Sequence, residues 1–189
     1  ALDEIVPRYA KDGFVREPEG TGTVNACPHG HFPTGDGKFL SIACTTDKMF
    51  ERLTQAMVRP DLWENFGGQQ TRLAARVTVI DEVTQWTTSM SRDEVMAACV
   101  AAEVPSGPIN SIADIFADPH FRARDDLLAV NVPRIGEVTV PGVYPKLSAT
   151  PGSVDSLGPE LGNANEEVYG GQLGLSADDM AALKDKGVI

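Results

Sequence analysis

Several common signals are missing from this chain, and each absence closes a class of function. No stretch approaches the ~18 consecutive apolar residues of a membrane-spanning helix. No basic segment followed by an apolar one opens the chain, so no secretory signal is visible. The three cysteines, Cys27, Cys44 and Cys99, are odd in number and include no C-x-x-C pair. They read as reduced thiols rather than a disulfide framework, which suits a cytoplasmic protein. Gly20-Thr21-Gly22-Thr23 falls short of G-x-G-x-x-G and precedes no helical pattern, which removes a dinucleotide fingerprint. No P-loop, G-x-S-x-G elbow or H-E-x-x-H motif occurs. Positive charge is scarce as well: 16 Lys and Arg stand against 27 Asp and Glu, a net charge of −11. That balance argues against a phosphate-tracking nucleic-acid surface and favours solubility.

What is present is the composition of an ordinary globular protein. The chain has 189 residues, 42% hydrophobic and 23% charged, enough for one domain, or one and a fraction, with a proper core. It starts with Ala1 rather than Met, and Leu2 to Tyr9 reads as the end of something longer. A truncated or processed chain is the expectation.

Residues 11–31 hold Gly13, Gly20, Gly22 and Gly30 with little apolar periodicity, and read mostly as loop. Lys38 to Cys44 is a short apolar run between Asp36-Gly37 and Thr45-Thr46-Asp47, the pattern of a buried strand entered through a tight turn. Thr46 or Asp47 then caps a helix carrying Met49, Phe50, Leu53 and Met57, and Pro60 opens a short turn through Trp63. In the stretch 72–87, Leu73, Val77, Ile80 and Val83 fit one helical face while Val77-Thr78-Val79-Ile80 is β-rich; length favours helix. Ser91-Arg92-Asp93-Glu94 is a capping box before a helix that buries Val95, Met96, Cys99 and Val100 and stops before Pro105. Val104 to Ile109, with two prolines and a glycine, reads as a tight connection. A short helix near Ile112 to Phe116 and a turn at Asp118-Pro119 follow.

From Leu127 to Leu147 the period becomes that of strands, a hairpin turning near Ile135-Gly136 and ending at Pro141-Gly142. Two helices close the chain, Ala164 to Leu173 and Ser176 to Lys186, the second opened by the capping-box variant Ser176-Ala177-Asp178-Asp179. Three or four strands among about seven helices, with no βαβ rhythm, predict an α+β fold.

Two constellations invite chemistry. Cys27, His29 and His31 form a C-x-H-x-H run whose side chains share one face of an extended chain, a spacing that suits zinc. No fourth ligand pairs with them, since His120 is distant and Asp36 lies beyond a turn, so a polar loop lining is the preferred reading and no metal is expected. The acids Asp36, Asp47, Glu51 and Glu94 suggest acid–base work. Turn and cap roles account better for Asp36, Asp47 and Glu94.

Pro28-His29-Gly30-His31-Phe32-Pro33-Thr34-Gly35-Asp36-Gly37 runs into the apolar stretch at Lys38. Far downstream stand Lys146-Leu147-Ser148-Ala149-Thr150-Pro151-Gly152, Leu161-Gly162, Leu173-Gly174-Leu175-Ser176 and Gly187-Val188-Ile189. In this order the segments resemble the C-terminal half of the family III CoA-transferases, the superfamily of formyl-CoA transferase, carnitine CoA-transferase and α-methylacyl-CoA racemase. The resemblance covers nearly the whole chain, from about Asp12 to Ile189.

The resemblance implies a small α+β domain, with a short antiparallel sheet flanked by helices, and C-terminal helices that return to a missing large α/β domain. It divides the chain into residues 1–31, a connecting segment with an active-site loop; 32–150, the small domain; and 151–189, a helical tail. It implies substrates rather than a covalently bound cofactor: a coenzyme A thioester and a carboxylic acid. The nucleophilic Asp lies upstream of Ala1 on this pattern, so no catalytic residue is assigned here. Pro28, His29, Gly30 and His31 match the family's loop over the thioester, where a glycine lets backbone amides approach a reacting carbonyl. Arg122 and Arg124 also match a family stretch and read as an exposed helix face. The implied partners are the N-terminal half of the same enzyme and, when complete, an interlocked homodimer. A racemase of the same superfamily and a non-catalytic assembly module are the alternatives. Two departures stand out: Gly162-Asn163-Ala164-Asn165 replaces the family's Gly-Glu-His-Asn, and Glu103 replaces a glycine before Val-Pro.

Overall fold

The structure, a computed structural model, describes residues 4–133 and 135–189. Ala1 to Asp3, part of the opening read above as the end of something longer, lie outside the described residues. The chain forms two compact units, one running to Ser111 and one from Ile112 to Ile189.

The first unit contains α1 (Ile5–Asp12), β1 (His29–Pro33), β2 (Phe39–Ala43), α2 (Asp47–Ala56), α3 (Pro60–Phe66), α4 (Gln69–Ala74), α5 (Arg76–Thr88), α6 (Arg92–Ala101) and β3 (Ser106–Pro108). The strands form one antiparallel sheet in the order β1-β2-β3. The hairpin between β1 and β2 is dictated locally. Thr34 N–H donates to Lys38 O, Gly37 N–H donates to Thr34 O, and the Thr34 hydroxyl donates to Asp36 Oδ1 at 2.6 Å. Gly37 sits at φ +75°, where a side chain would be strained.

Two expectations are corrected here. His29 to His31 is strand rather than loop, because β2 supplies a full ladder from His29↔Ala43 to Pro33↔Phe39. Likewise Ser106 to Pro108 is more than a connection: it pairs with Leu40 to Ile42 as the third strand. Both runs are rich in Pro and Gly, and only a partner strand makes them β.

Helix starts follow the sequence closely. The Thr46 side chain accepts from Met49 N–H at the head of α2, and Ser91 with Glu94 forms the full capping box of α6. Pro60 opens a complete helix rather than a turn. The stretch 72–87 is helical but broken at Ala75 (φ −103°, ψ 26°). The break changes which face is inward: α5 buries Val79, Val83 and Thr87, and Val77 is 74% exposed. In α6, Val95 and Cys99 are buried and Val100 faces solvent. The core gathers Phe32, Leu40 and Ile42 from the sheet with Phe50, Leu53, Val79, Val83 and Val95 from the helices. Each such side chain contributes about 1.5–3 kcal/mol on burial.

The second unit holds α7 (Ile112–Ala117), α8 (Pro119–Ala123), β4 (Leu127–Val132), β5 (Gly136–Pro141), a π-helical segment (Glu166–Gln172) and α9 (Ala177–Asp185). Asp118 caps α8. The hairpin has the expected register, with Leu128↔Val140 and Val130↔Val138 opposite one another on its half-buried face. The first tail helix is the wide π form, with Leu173 N–H reaching Val168 O. The second opens with the reciprocal Ser176–Asp179 box. Among the described residues no helix is long and apolar enough to cross a membrane.

Candidate functional site

A cleft of about 450 Å³ opens in the first unit, between β1 and one stripe of α5. His29, His31 and Phe32 line it from the strand, and Arg76, Ile80 and Thr84 from the helix. Glu19, Thr21 and Gly22, on a turn closed by Gly22 N–H donating to Glu19 O at 3.1 Å, line it too.

The ladder phase shows which groups face outward. Cys44 N–H donates to Pro28 O, and Thr34 N–H to Lys38 O, so Pro28, Gly30, Phe32 and Thr34 hydrogen-bond towards β2. The amides of His29 and His31 therefore point away from the sheet. His31 N–H donates to Thr21 Oγ1 at 2.9 Å. Gly30 serves this contact through its missing side chain: a Cβ there would stand 3.0 Å from Thr21 Oγ1. Thus Gly30 makes room for the turn, while its own amide belongs to the sheet.

Of the four residues nominated by the resemblance, His29, Gly30 and His31 line the cleft and Pro28 lies buried behind it. His29 is half-buried, with Nδ1 shut from solvent and outside any hydrogen bond among the described residues. Cys27 parts from the two histidines: it is fully buried in the core beside Cys44 and Cys99. Burial pushes its thiol pKa up, outweighing the nearby Arg76 and Arg72 charges. Among the described residues no group of three His, Cys, Asp or Glu side chains is placed to hold a metal ion.

Asp36 and Glu94 take the turn and cap roles assigned to them, whereas Asp47 is the first residue of α2 and not its cap, a place Thr46 takes. Asp36 is held below the usual carboxylate range, first by the Thr34 hydroxyl and then by the Arg92 and Lys38 amides. Glu94 is lowered by the Ser91 hydroxyl and amide. Asp47 also meets Arg72 Nη2 at 2.6 Å. Arg122 donates to Phe116 O, and Arg124 lies 3.7 Å from Asp126.

Sequence reasoning missed the two arginines that hold this region together. Arg72 is fully buried; its Nε donates to Cys27 O at 2.8 Å, its Nη1 to the carbonyls of Phe66 and Gly67, and its guanidinium lies over the Phe50 ring. Arg76, four residues on, donates to Val24 O at 3.1 Å and Ala26 O at 3.4 Å, and meets Glu19 at 3.5 Å. Their four-residue spacing would set two cations on one side of a continuous helix, but the break at Ala75 leaves Arg72 on α4 and Arg76 at the head of α5, so the spacing alone does not reveal their roles. Glu103, flagged as a replaced glycine, adopts φ +55°, the conformation a glycine would take without strain, and pairs with Arg52 at 2.7 Å.

The model of CoA-transferase family III matches residues 2–165. The succinyl-CoA–L-malate CoA-transferase alpha subunit of Chloroflexus aurantiacus is 52% identical over 190 residues, which span all of this chain and 44% of that one. The beta subunit of the same name and species is 46% identical over 99% of this chain and 47% of that one. A solved CAIB/BAIF family protein from Brucella suis superposes with a TM-score of 0.71 at 26% identity, covering 90% of this chain and 44% of its own. The chain thus spans less than half the length of the relatives it matches, and it belongs to CoA-transferase family III.

Proposed function

We propose that this chain is the C-terminal portion of an enzyme that moves CoA from an acyl-CoA donor to a free carboxylic acid. The single observation carrying this reading is end-to-end identity of 52% with a chain named succinyl-CoA–L-malate CoA-transferase alpha subunit, of which it matches 44%. By that likeness the donor is a succinyl thioester and the acceptor a hydroxydicarboxylic acid. The likeness to a beta subunit supports a related chain, or a second copy, as the partner in an interlocked dimer.

The nucleophile is an Asp upstream of this chain. Its carboxylate attacks the thioester carbonyl and CoA thiolate leaves, forming a mixed anhydride. The thiolate then attacks the aspartyl carbonyl and releases the donor acid, leaving an aspartyl-CoA thioester. The acceptor carboxylate attacks that thioester, giving a second anhydride and free thiolate. Attack of the thiolate on the acceptor carbonyl yields the new acyl-CoA and restores Asp. The strand His29–His31, with two outward amides beside the cleft, is the part of this chain that faces substrate. The isolated 189-residue chain is inactive on this account.

The test uses the complete protein. Incubation with succinyl-CoA and L-malate is expected to yield malyl-CoA and succinate, and succinyl-CoA alone is expected to leave a CoA adduct on an Asp outside this chain. Deuterium uptake at the acyl α-carbon without CoA transfer identifies a racemase instead and overturns the reading. Turnover by the isolated chain overturns the upstream placement of the nucleophile.

A further inference from the structure

Arg76 is anchored from one side and loosely covered from another. Its Nη2 and Nη1 donate to the carbonyls of Val24 and Ala26, so the guanidinium is held in place by backbone. Its carboxylate partner, Glu19, stands at 3.5 Å, beyond the usual distance of a charge-assisted hydrogen bond, and both side chains keep solvent access (26% and 31%). Such a half-solvated pair contributes little and exchanges readily. The same short turn also covers a second donor, since Thr21 Oγ1 accepts the outward amide of His31. Gly20 and Gly22 flank that threonine, and a Cβ at Gly22 would crowd Glu19 O at 3.3 Å.

We propose that Arg76 and the His31 amide form a carboxylate receptor in this cleft, and that Glu19 and Thr21 occupy it as a built-in stand-in for the ligand. A substrate carboxylate enters by displacing the Glu19–Gly22 turn and takes over both donors. The ligand is the carboxylate not undergoing reaction in a dicarboxylic acid or its thioester. This assignment rests on the function proposed above and adds to it the group that selects a dicarboxylate. Asp81, exposed on the same helical stripe as Val77, Ile80 and Thr84, also lines the cleft. Its charge sets a limit: one carboxylate is accepted, and a phosphate dianion is repelled.

The experiment measures equilibrium binding of succinate, butyrate and inorganic phosphate to the complete protein by calorimetry. Glu19→Gln removes the competing charge and keeps the turn. It is expected to tighten succinate about three- to fivefold, the scale of one surface ion pair, and to tighten butyrate less, because its single carboxylate is shared between this receptor and the reacting site. Arg76→Gln is expected to lose succinate binding, and in its background Glu19→Gln is expected to bring no gain. If Arg76→Gln does not fold, Glu19→Gln decides alone. Unchanged or weaker succinate binding by Glu19→Gln overturns the proposal, as does an equal gain without Arg76 or a preference for phosphate. Absence of CoA transfer by the wild-type protein overturns the function proposed above, and the binding comparison remains readable on its own terms.

Discussion

The two units of this chain are stabilised in different ways. All the fully buried hydrophobic residues among those described lie between Ala26 and Val104, in the first unit. There a sheet and the helices that pack on it meet the arginines that tie the segment before β1 to α4 and α5. The second unit contains a well-paired hairpin and two capped helices, α8 and α9, yet Leu147, Leu157, Leu161, Leu173 and Val188 are all exposed. Good local hydrogen bonding thus occurs in both units, whereas a closed core occurs in one. Secondary structure is set by neighbours along the chain; a core needs enough elements to enclose a volume. Large exposed apolar surface is what a segment shows when its packing partners are elsewhere.

Truncation inside each unit sharpens this contrast most. Leu53→Ala, in the closed core, is expected to cost about 2–5 kcal/mol. Met180→Ala, at a half-buried position of the largely exposed α9 against Gly170, is expected to cost less than about 1 kcal/mol. Urea unfolding followed by tryptophan fluorescence reads the first unit alone, because Trp63 and Trp86 both lie there. Amide exchange reads the second, and faster exchange throughout residues 112–189 than in α2 and α5 is the expected result. Equal protection in the two units would break the comparison.

Arg72→Met comes next. It strips the partner from Cys27 O, Phe66 O, Gly67 O and Asp47 at once. Asp47 is half exposed and recovers water, whereas the carbonyls do not recover it fully, so the expected loss is about 3 kcal/mol. The same fluorescence transition measures it, and a change below about 1 kcal/mol would show that the clamp is ornamental.

The buried thiols give a pH test of the same core. Burial pushes Cys44 up from 9.0 to about 12, and Cys27 and Cys99 are raised too. A thiol whose pKa is higher folded than unfolded costs no stability below pH 9. Above it the unfolded chain sheds the proton first, so stability falls through the window from 9 to about 12. Cys44 alone gives a slope of about 1.4 kcal/mol per pH unit. Cys44→Ala is expected to flatten the decline between pH 9.5 and 10.5, and native protein is expected to resist thiol reagents until unfolded.

The smallest effects concern strained backbone in the first unit. Val58 follows α2 at φ +55° with 82% exposure, a costly conformation for a β-branched side chain. Val58→Gly is expected to stabilise by about 1 kcal/mol. Glu103→Gly relieves similar strain and forfeits the Arg52 pair, so its gain should be smaller, under about 0.5 kcal/mol. Thermal midpoints of the two variants rank them, and a reversed order would give the Arg52–Glu103 pair more weight than a surface pair normally carries.

What the residues alone determined was local. Ser91 with Glu94 and Ser176 with Asp179 cap the helices they were expected to cap, and Thr46, one of two candidates, caps α2, because a cap needs only three or four neighbouring residues; Asp118-Pro119, read as a turn, opens α8 instead. The Asp36-Gly37 turn and the hairpin after Leu127 were legible for the same reason. The family's segments at Pro28 to Gly37 were legible as a pattern, and they located one wall of the cleft. Only the tertiary structure decided the rest. His29 to His31 became strand because Phe39 to Ala43 lies beside it, and Ser106 to Pro108 because Leu40 to Ile42 does. Cys27 left the histidines for the core. Arg72 and Arg76 acquired their roles from carbonyls 45 to 52 positions away, and Glu19 and Thr21 from a helix and a strand they precede by many residues. Such groups are ordinary when read in order along the chain; their chemistry arises where folding removes water and leaves them only each other to bond.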